Sequence, residues 1–457
     1  MDVPTAAPAP DPDAPDETVL LELLRRGGAD PGPVWLALAL AGAALPAQDD
    51  VDRIQRVLRL DGPEAALADR LLTAADRRPL DVADRLLTGV VVVDVHDTAA
   101  ADGETSRRVV REVLPRWAAR HDLRPVAWTA DFTQLRDLTG DERADLGLPP
   151  PARPPRTGLV PWQARWLVPE PVHQQDRARR VVAMATTGAV RVGAIAYDLI
   201  PVTAAETVHP RAGAGFASHL GVLKVSRALV AVSAAAAVEH EGFGQMLAGQ
   251  DLPAPPVLEV PLPAQVRGVP GALHRTGPGP LVLCVGRHEP RTNHLAVLHA
   301  AECLWREGLE FQVVLVGTDG WHAEAVRELA TGLATAGRPL AVLSDVPESQ
   351  LWATYAAARV LVHPALHEGF ALPVADALAC GTPVITSDVG SMRELAAGGG
   401  AVTVDPHDDR ALTDALRAVL TDDALHERLV AEAAARPVRT WDDYARESWQ
   451  ALVPDPA

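Results

Sequence analysis

Two carboxylates stand eight positions apart in the stretch HEGFALPVADALACGTPV: Glu368 and Asp376. The run before them, ARVLVHP, is continuously apolar and reads as a buried strand. Pro373 suits the first turn of a helix that runs to about Cys380, Gly381 supplies a left-handed residue at its end, and Pro383 blocks continuation. A strand end that feeds a glycine loop and then a helix N-terminus gathers free backbone N–H groups and favours an anion such as phosphate. Gly369 lets that backbone approach a ligand. Glu368, before the turn, can accept hydrogen bonds from sugar hydroxyls. Asp376, placed by this reading in the first helical turn, can accept both hydroxyls of a ribose; the plainer alternative is that it only complements the helix dipole.

Cations are available nearby. In VGRHEPRTNHLAVLHAAECL a strand end passes through a basic loop into a helix, and Arg287 and Arg291 stand where a diphosphate needs positive charge. The alternative is a solvated loop with two arginines. In the first half of the chain, AIAYDLIP ends a strand at Asp198.

The elements that must position these residues alternate. From Gly89 onward, buried-strand runs (GVVVVDV, RPVAW, AVRVGAIAYD, ALVAVS) are separated by helical patterns, the signature of a parallel α/β sheet. Gly and Pro dominate 266–280, and the rhythm then restarts with LVLCVG, FQVVLVG, LAVLS, ARVLVHP, PVITS and GAVTVD. Two doubly wound domains enclose a cleft to which the strand C-termini of both can contribute. The expected layout is a tail (1–15), a helical extension (16–88), a first α/β domain (89–270), a second (271–438) and a final helix (439–457).

These motifs resemble the donor site of family-4 retaining glycosyltransferases, which have the GT-B fold. That family carries Glu-Gly-Phe-Gly-Leu-Pro and a second Glu eight residues after the first; here the residues are Glu368, Gly369, Phe370, Ala371, Leu372, Pro373 and Asp376. The resemblance implies that Glu368 contacts the donor sugar and that Asp376 binds the nucleotide ribose. The family's Gly-Arg…Arg-Lys-Asn pattern matches at Arg287, with Thr292 in the lysine position and Arg291 beside it. VLVGTDGW is similar to the family's strand and glycine loop near the base, at Gly317 and Gly320. AIAYDLIP is similar to its His-Asp element, with Tyr197 in place of His. Glu104-Thr105-Ser106-Arg107-Arg108 stands where a bacterial subgroup carries Thr-Gly-Ile-x-Arg, and TWDDYARESW resembles the helix that returns to the first domain.

The resemblance implies a metal-independent, cofactor-free hexosyltransferase. It would use a UDP- or GDP-sugar donor and a glycan or lipid-linked glycan acceptor, with Glu368, Arg287 and Asp198 at the reaction centre. Departures at 292, 365, 371 and 376 motivate a rival reading, a non-catalytic scaffold of the same fold.

Composition narrows the field. A net charge of −18 argues against a nucleic-acid partner. Three widely spaced cysteines match no zinc or disulfide pattern and fit a reducing cytoplasm. The start of the chain lacks a signal-peptide pattern, and the apolar run Val34–Leu45 is shorter than the roughly 20 residues that cross a bilayer. The helix expected over Thr105–Arg120 has one apolar side and many arginines. It reads as a structural helix against its sheet, with peripheral membrane contact as the alternative.

Overall fold

A computed structural model of the chain describes residues 16–42, 44–66, 85–100, 105–266 and 279–454. The expected tail, residues 67–84 of the expected helical extension, Glu104 and the interior of the expected linker lie outside these residues.

The first sheet comprises β1 (Leu86–Thr88), β2 (Val91–Asp94), β3 (Leu123–Trp128), β4 (Leu135–Asp137), β5 (Thr157–Trp162), β6 (Ala164–Val168), β7 (Val190–Ala196), β8 (Ala228–Ala231) and β9 (Val257–Glu259). Their order is β1-β5-β4-β3-β2-β6-β7-β8-β9. From β3 to β9 every neighbouring pair is parallel. β4 is antiparallel to both β3 and β5, an addition that the βα rhythm did not announce. The second sheet holds β10 (Leu281–Val285), β11 (Gln312–Val316), β12 (Leu340–Leu343), β13 (Val360–His363), β14 (Val384–Ser387) and β15 (Ala401–Val404). Its order is β12-β11-β10-β13-β14-β15, parallel throughout. β11 and β13 are buried along their whole length, as continuous Val/Leu runs require when helices cover both faces.

The N-terminal extension is part of the first domain's core. Its helices among the described residues include Asp16–Gly27, Pro31–Ala41 and Gln48–Asp61. The middle one is apolar all round, and residues 32–40 are all buried. Asp30 caps it, its carboxylate accepting the Gly32 N–H at 3.2 Å. Trp35 is fully buried and stacks on Trp162 of β5, with centroids 6.5 Å apart. The expected boundary at 88 shifts, because Leu86–Thr88 form β1 and pair with β5. A short β-branch-poor run beside a helical pattern gave no period-2 signal to read.

The helix Thr105–Arg120 turns its apolar side inward. Val109, Val110, Val113, Leu114 and Trp117 are buried. The returning helix Trp441–Leu452 packs on this side, and the Trp117 indole N–H donates to the Ala445 carbonyl at 2.8 Å. That face is core, so the membrane-surface alternative for it falls. Among the described residues, no helix is long and apolar enough to cross a membrane.

Because Trp35 packs into the sheet, Trp35→Ala is expected to destabilise the first domain by about 3–5 kcal/mol. Urea unfolding of the full chain measures this; a loss below about 1 kcal/mol would make the extension a loosely attached appendage.

Candidate active site

The C-terminal end of β13 leads through 364–371 into the helix Leu372–Ala379. Asp376 therefore lies in the second turn rather than the first. Ala371 precedes the helix in a left-handed conformation, φ 62°. Gly381 is left-handed at the far end, φ 76°, as its type suggests.

Glu368 meets the arginine loop. Its Oε2 lies 3.0 Å from Arg291 Nη1, and the Arg291 Nη2 lies 2.8 Å from Glu289 Oε1. Glu368 holds the Arg291 pKa above its ordinary value, against the opposing effect of burial. His363 Nε2 is buried without a hydrogen-bond partner and sits 3.8 Å from Glu368 Oε1, too far for a bond. The Ser391 hydroxyl donates to the Glu368 carbonyl at 2.8 Å and fixes the loop.

The first domain reaches this loop directly. A Cβ on Gly369 would lie 2.7 Å from Asp198 Oδ2, so only glycine admits the approach. Ser233 donates to the Gly369 carbonyl at 2.6 Å. Asp198 follows β7, and burial pushes its carboxyl up to about 6; Arg291 acts against that shift, and Glu368 and Glu239 add to it. Glu239, on the helix Ala234–Ala248, accepts the Leu199 N–H at 2.6 Å with Oε2. Its Oε1 lies 2.6 Å from His367 Nε2, a contact that raises the His367 pKa although burial lowers it. Asp198 and Glu239 thus face Arg291, His367 and Glu368 across the domain boundary.

Asp376 is buried and bound by the other domain. Arg108 Nη1 donates to its Oδ2 at 2.6 Å and Nη2 to its Oδ1 at 2.9 Å. The Arg108 guanidinium lies 5.7 Å from the centre of the Trp352 ring.

Other expected ligands sit elsewhere. Arg287 is exposed, and its guanidinium reaches the Asp319 carbonyl at 3.5 Å, away from Glu368. Thr292 is buried and its hydroxyl donates to the Arg287 carbonyl at 2.6 Å, tying the loop into a knot. Phe370 packs into the hydrophobic cluster that contains Tyr197 and Trp441. Ala371 lies in the second domain's core, and Leu372 borders the same cluster as Phe370. A Cβ on Gly317 would lie 1.9 Å from the Gly286 carbonyl oxygen, so Gly317 brings the β10 and β11 loops together. The structure joins Glu368, Gly369, Arg291 and Asp198; it does not bring Arg287 to them.

Sequence reading put Arg108 at the arginine of the subgroup motif without its contact to Asp376, and missed Glu239, His367 and a buried charge cluster at the end of β2. There the fully buried Arg177 lies 2.8 Å from Asp94, 2.9 Å from Asp97 and 3.0 Å from Glu170. The Trp128 indole N–H donates to Asp94 at 2.9 Å, and burial pushes Glu170 up to about 7. Asp94 closing the first strand was the one available signal.

Two parallel α/β domains with a C-terminal helix crossing back to the first define the GT-B architecture. Residues 272–436 match the family model described as Glycosyl transferases group 1. Over these residues the chain is similar to group 1 glycosyl transferases, and its two domains have the GT-B fold. Over 163 residues it is 33% identical to O-antigen chain mannosyltransferase B of Escherichia coli, covering 35% of this chain and 42% of that protein. Over 170 residues it is 36% identical to a D-inositol 3-phosphate glycosyltransferase of Xylanimonas cellulosilytica, covering 36% and 40%. The match spans less than half the length of these relatives. A sucrose-phosphate synthase from Thermosynechococcus elongatus has a similar fold, with a TM-score of 0.53 at 16% identity over 79% of this chain and 96% of that one.

Two outcomes follow from this geometry. Ala371→Gly, which relieves a left-handed alanine, is expected to stabilise the second domain by about 1 kcal/mol in urea unfolding; a destabilisation would contradict the strain. The domain junction should also weaken as pH rises. His367 has a raised pKa, so its contribution is complete below about 6.5 and is lost above, as pH passes its folded value. Asp198 is raised too, so its neutral form favours the native state below its ordinary pKa of 3.8, an advantage lost between there and about 6. The buried, neutral His219, His240 and His294 act in the opposite sense, so the His367 contribution is read as a difference: between about pH 6.5 and 8 the melting temperature of wild type should drop relative to that of His367→Gln, and a pH-independent difference would rule His367 out.

Proposed function

We propose that this chain is a retaining glycosyltransferase that moves a hexose from a UDP- or GDP-sugar to a hydroxyl of a surface, extracellular or lipid-linked glycan. The observation that carries this reading is the placement of Glu368. It sits at a strand end beside Arg291, next to the partnerless buried nitrogen of His363, and across from Asp198 of the other domain.

In this scheme the donor diphosphate lies over the N-terminus of the helix Leu372–Ala379, where backbone amides and the dipole favour negative charge. Arg291 supplies the cation beside Glu368, the exposed Arg287 joins it only by leaving its contact with the Asp319 carbonyl, and Gly369 lets the amides approach. Leaving-group charge met in this way lets the sugar develop oxocarbenium character. Attack then comes from the side the diphosphate leaves, so configuration is retained. Glu368 accepts hydrogen bonds from the donor sugar, and Asp376 receives the ribose diol once its oxygens are released. Asp198 hydrogen-bonds the acceptor hydroxyl, and the acceptor lies on the first domain. The scheme calls on no cofactor and no metal.

Three unpaired cysteines support a reducing cytoplasmic setting, with lipid-linked acceptors presented at the inner membrane face. One observation favours the rival, a weak or inactive binding partner of another transferase: both Asp376 oxygens are taken by Arg108.

Calorimetric titration with a panel of UDP- and GDP-sugars, followed by a transfer assay, separates the two. An active enzyme should bind at least one donor and yield a product with the donor's anomeric configuration by NMR. Glu368→Gln should lower kcat about 100-fold or more, the scale of losing one transition-state hydrogen bond. No donor binding, with Glu368→Gln indistinguishable from wild type, would leave the scaffold.

A further inference from the structure

The contact between Arg108 and Asp376 has an unusual place. It joins the first turns of a first-domain helix to the helix that follows the Glu368 loop, 268 residues away in sequence. It is bidentate, which adds geometric definition to charge attraction. Trp352 lies beside the guanidinium. The Asp376 side chain is only 5% exposed, against 25% for Arg108, so the carboxylate is covered and the arginine is its lid. A ribose diol that took the same two oxygens would have to displace or share this fork.

From this we infer that Arg108 is an internal competitor for the donor ribose, and that the Arg108–Asp376 pair is a latch holding the cleft shut until a nucleotide displaces it. The inference rests on the ribose role given to Asp376 above. The energetics suit a latch. Removing one partner of a buried pair outright strands a charge, but here the ribose hydroxyls replace the guanidinium on the carboxylate while the partly exposed Arg108 returns to water. Release is therefore an exchange, and donor affinity is reduced by the fraction of molecules in which the latch is open. Other links cross the same boundary: His367 to Glu239, Ser233 to Gly369, and the Ala235 N–H to Glu394 at 3.2 Å. Of these, only the Arg108 contact covers an atom pair that the donor itself requires.

The test uses the full chain and Arg108→Gln, with Arg108→Lys as a second variant that keeps the charge and loses the fork. UDP and GDP are titrated into each by calorimetry, and small-angle scattering is recorded without ligand. The expected result is about tenfold tighter binding of the preferred nucleotide to Arg108→Gln, an intermediate value for Arg108→Lys, and a larger radius of gyration for Arg108→Gln in the absence of nucleotide. Equal or weaker nucleotide binding by both variants would overturn the latch and make Arg108 a neutral or donor-binding residue. If no form binds UDP or GDP, the donor reading fails. The scattering then decides the latch by itself: an unchanged radius overturns it, and an expanded one keeps it as a domain clasp.

Discussion

The site depends on one guanidinium kept charged among carboxylates. Arg291 touches Glu289 and Glu368 and lies within electrostatic reach of Asp198. Without it, Glu368 and Asp198 would be two acids facing each other at a partly dry domain boundary, and repulsion would push the domains apart. With it, Glu368 holds a defined position, the Asp198 carboxyl rises only to about 6, and Gly369 can lie against the first domain. The loop that carries Arg291 is in turn shaped by Thr292, whose hydroxyl is turned onto the Arg287 carbonyl. The residue in the position of a lysine therefore shapes the cation site without adding charge to it.

The second domain was legible because its strands are short apolar runs, several of them closed by a glycine or proline. The expected strand at ARVLVHP is β13, and the helix expected after it ends one residue early, at Ala379. Letters alone would have misled. His240-Glu241-Gly242-Phe243-Gly244 repeats the HEGF motif almost unchanged, yet it lies inside the helix Ala234–Ala248 with Glu241 exposed. What marks Glu368 is the buried strand before it and the proline after it, which turn the same letters into a loop aimed at a helix N-terminus.

The first domain was less legible, for physical reasons. β4 and β5 pair antiparallel beside a Pro-rich loop, and β1 is three residues long, so neither shows a βα rhythm. Interdomain pairs have no local signature at all. Arg108 stands at the arginine of a subgroup motif, but nothing near it in sequence points to Asp376, and nothing near Glu239 points to His367. Each acquires its role only when the two sheets are brought together. Asp376 illustrates the limit: its residue type suggested a carboxylate near a ligand, but its present partner is an arginine from the other end of the chain.

The central claim is that the boundary between the two domains is a nucleotide-sugar site, closed by contacts that the donor replaces. A crystal structure of the full chain with UDP or GDP bound tests it most directly. The account predicts diphosphate density over the N-terminus of the helix Leu372–Ala379, the ribose on Asp376, and Arg108 withdrawn from that carboxylate. A nucleotide bound elsewhere, or bound here with the Arg108–Asp376 pair still at its present 2.6 Å and 2.9 Å, would contradict it.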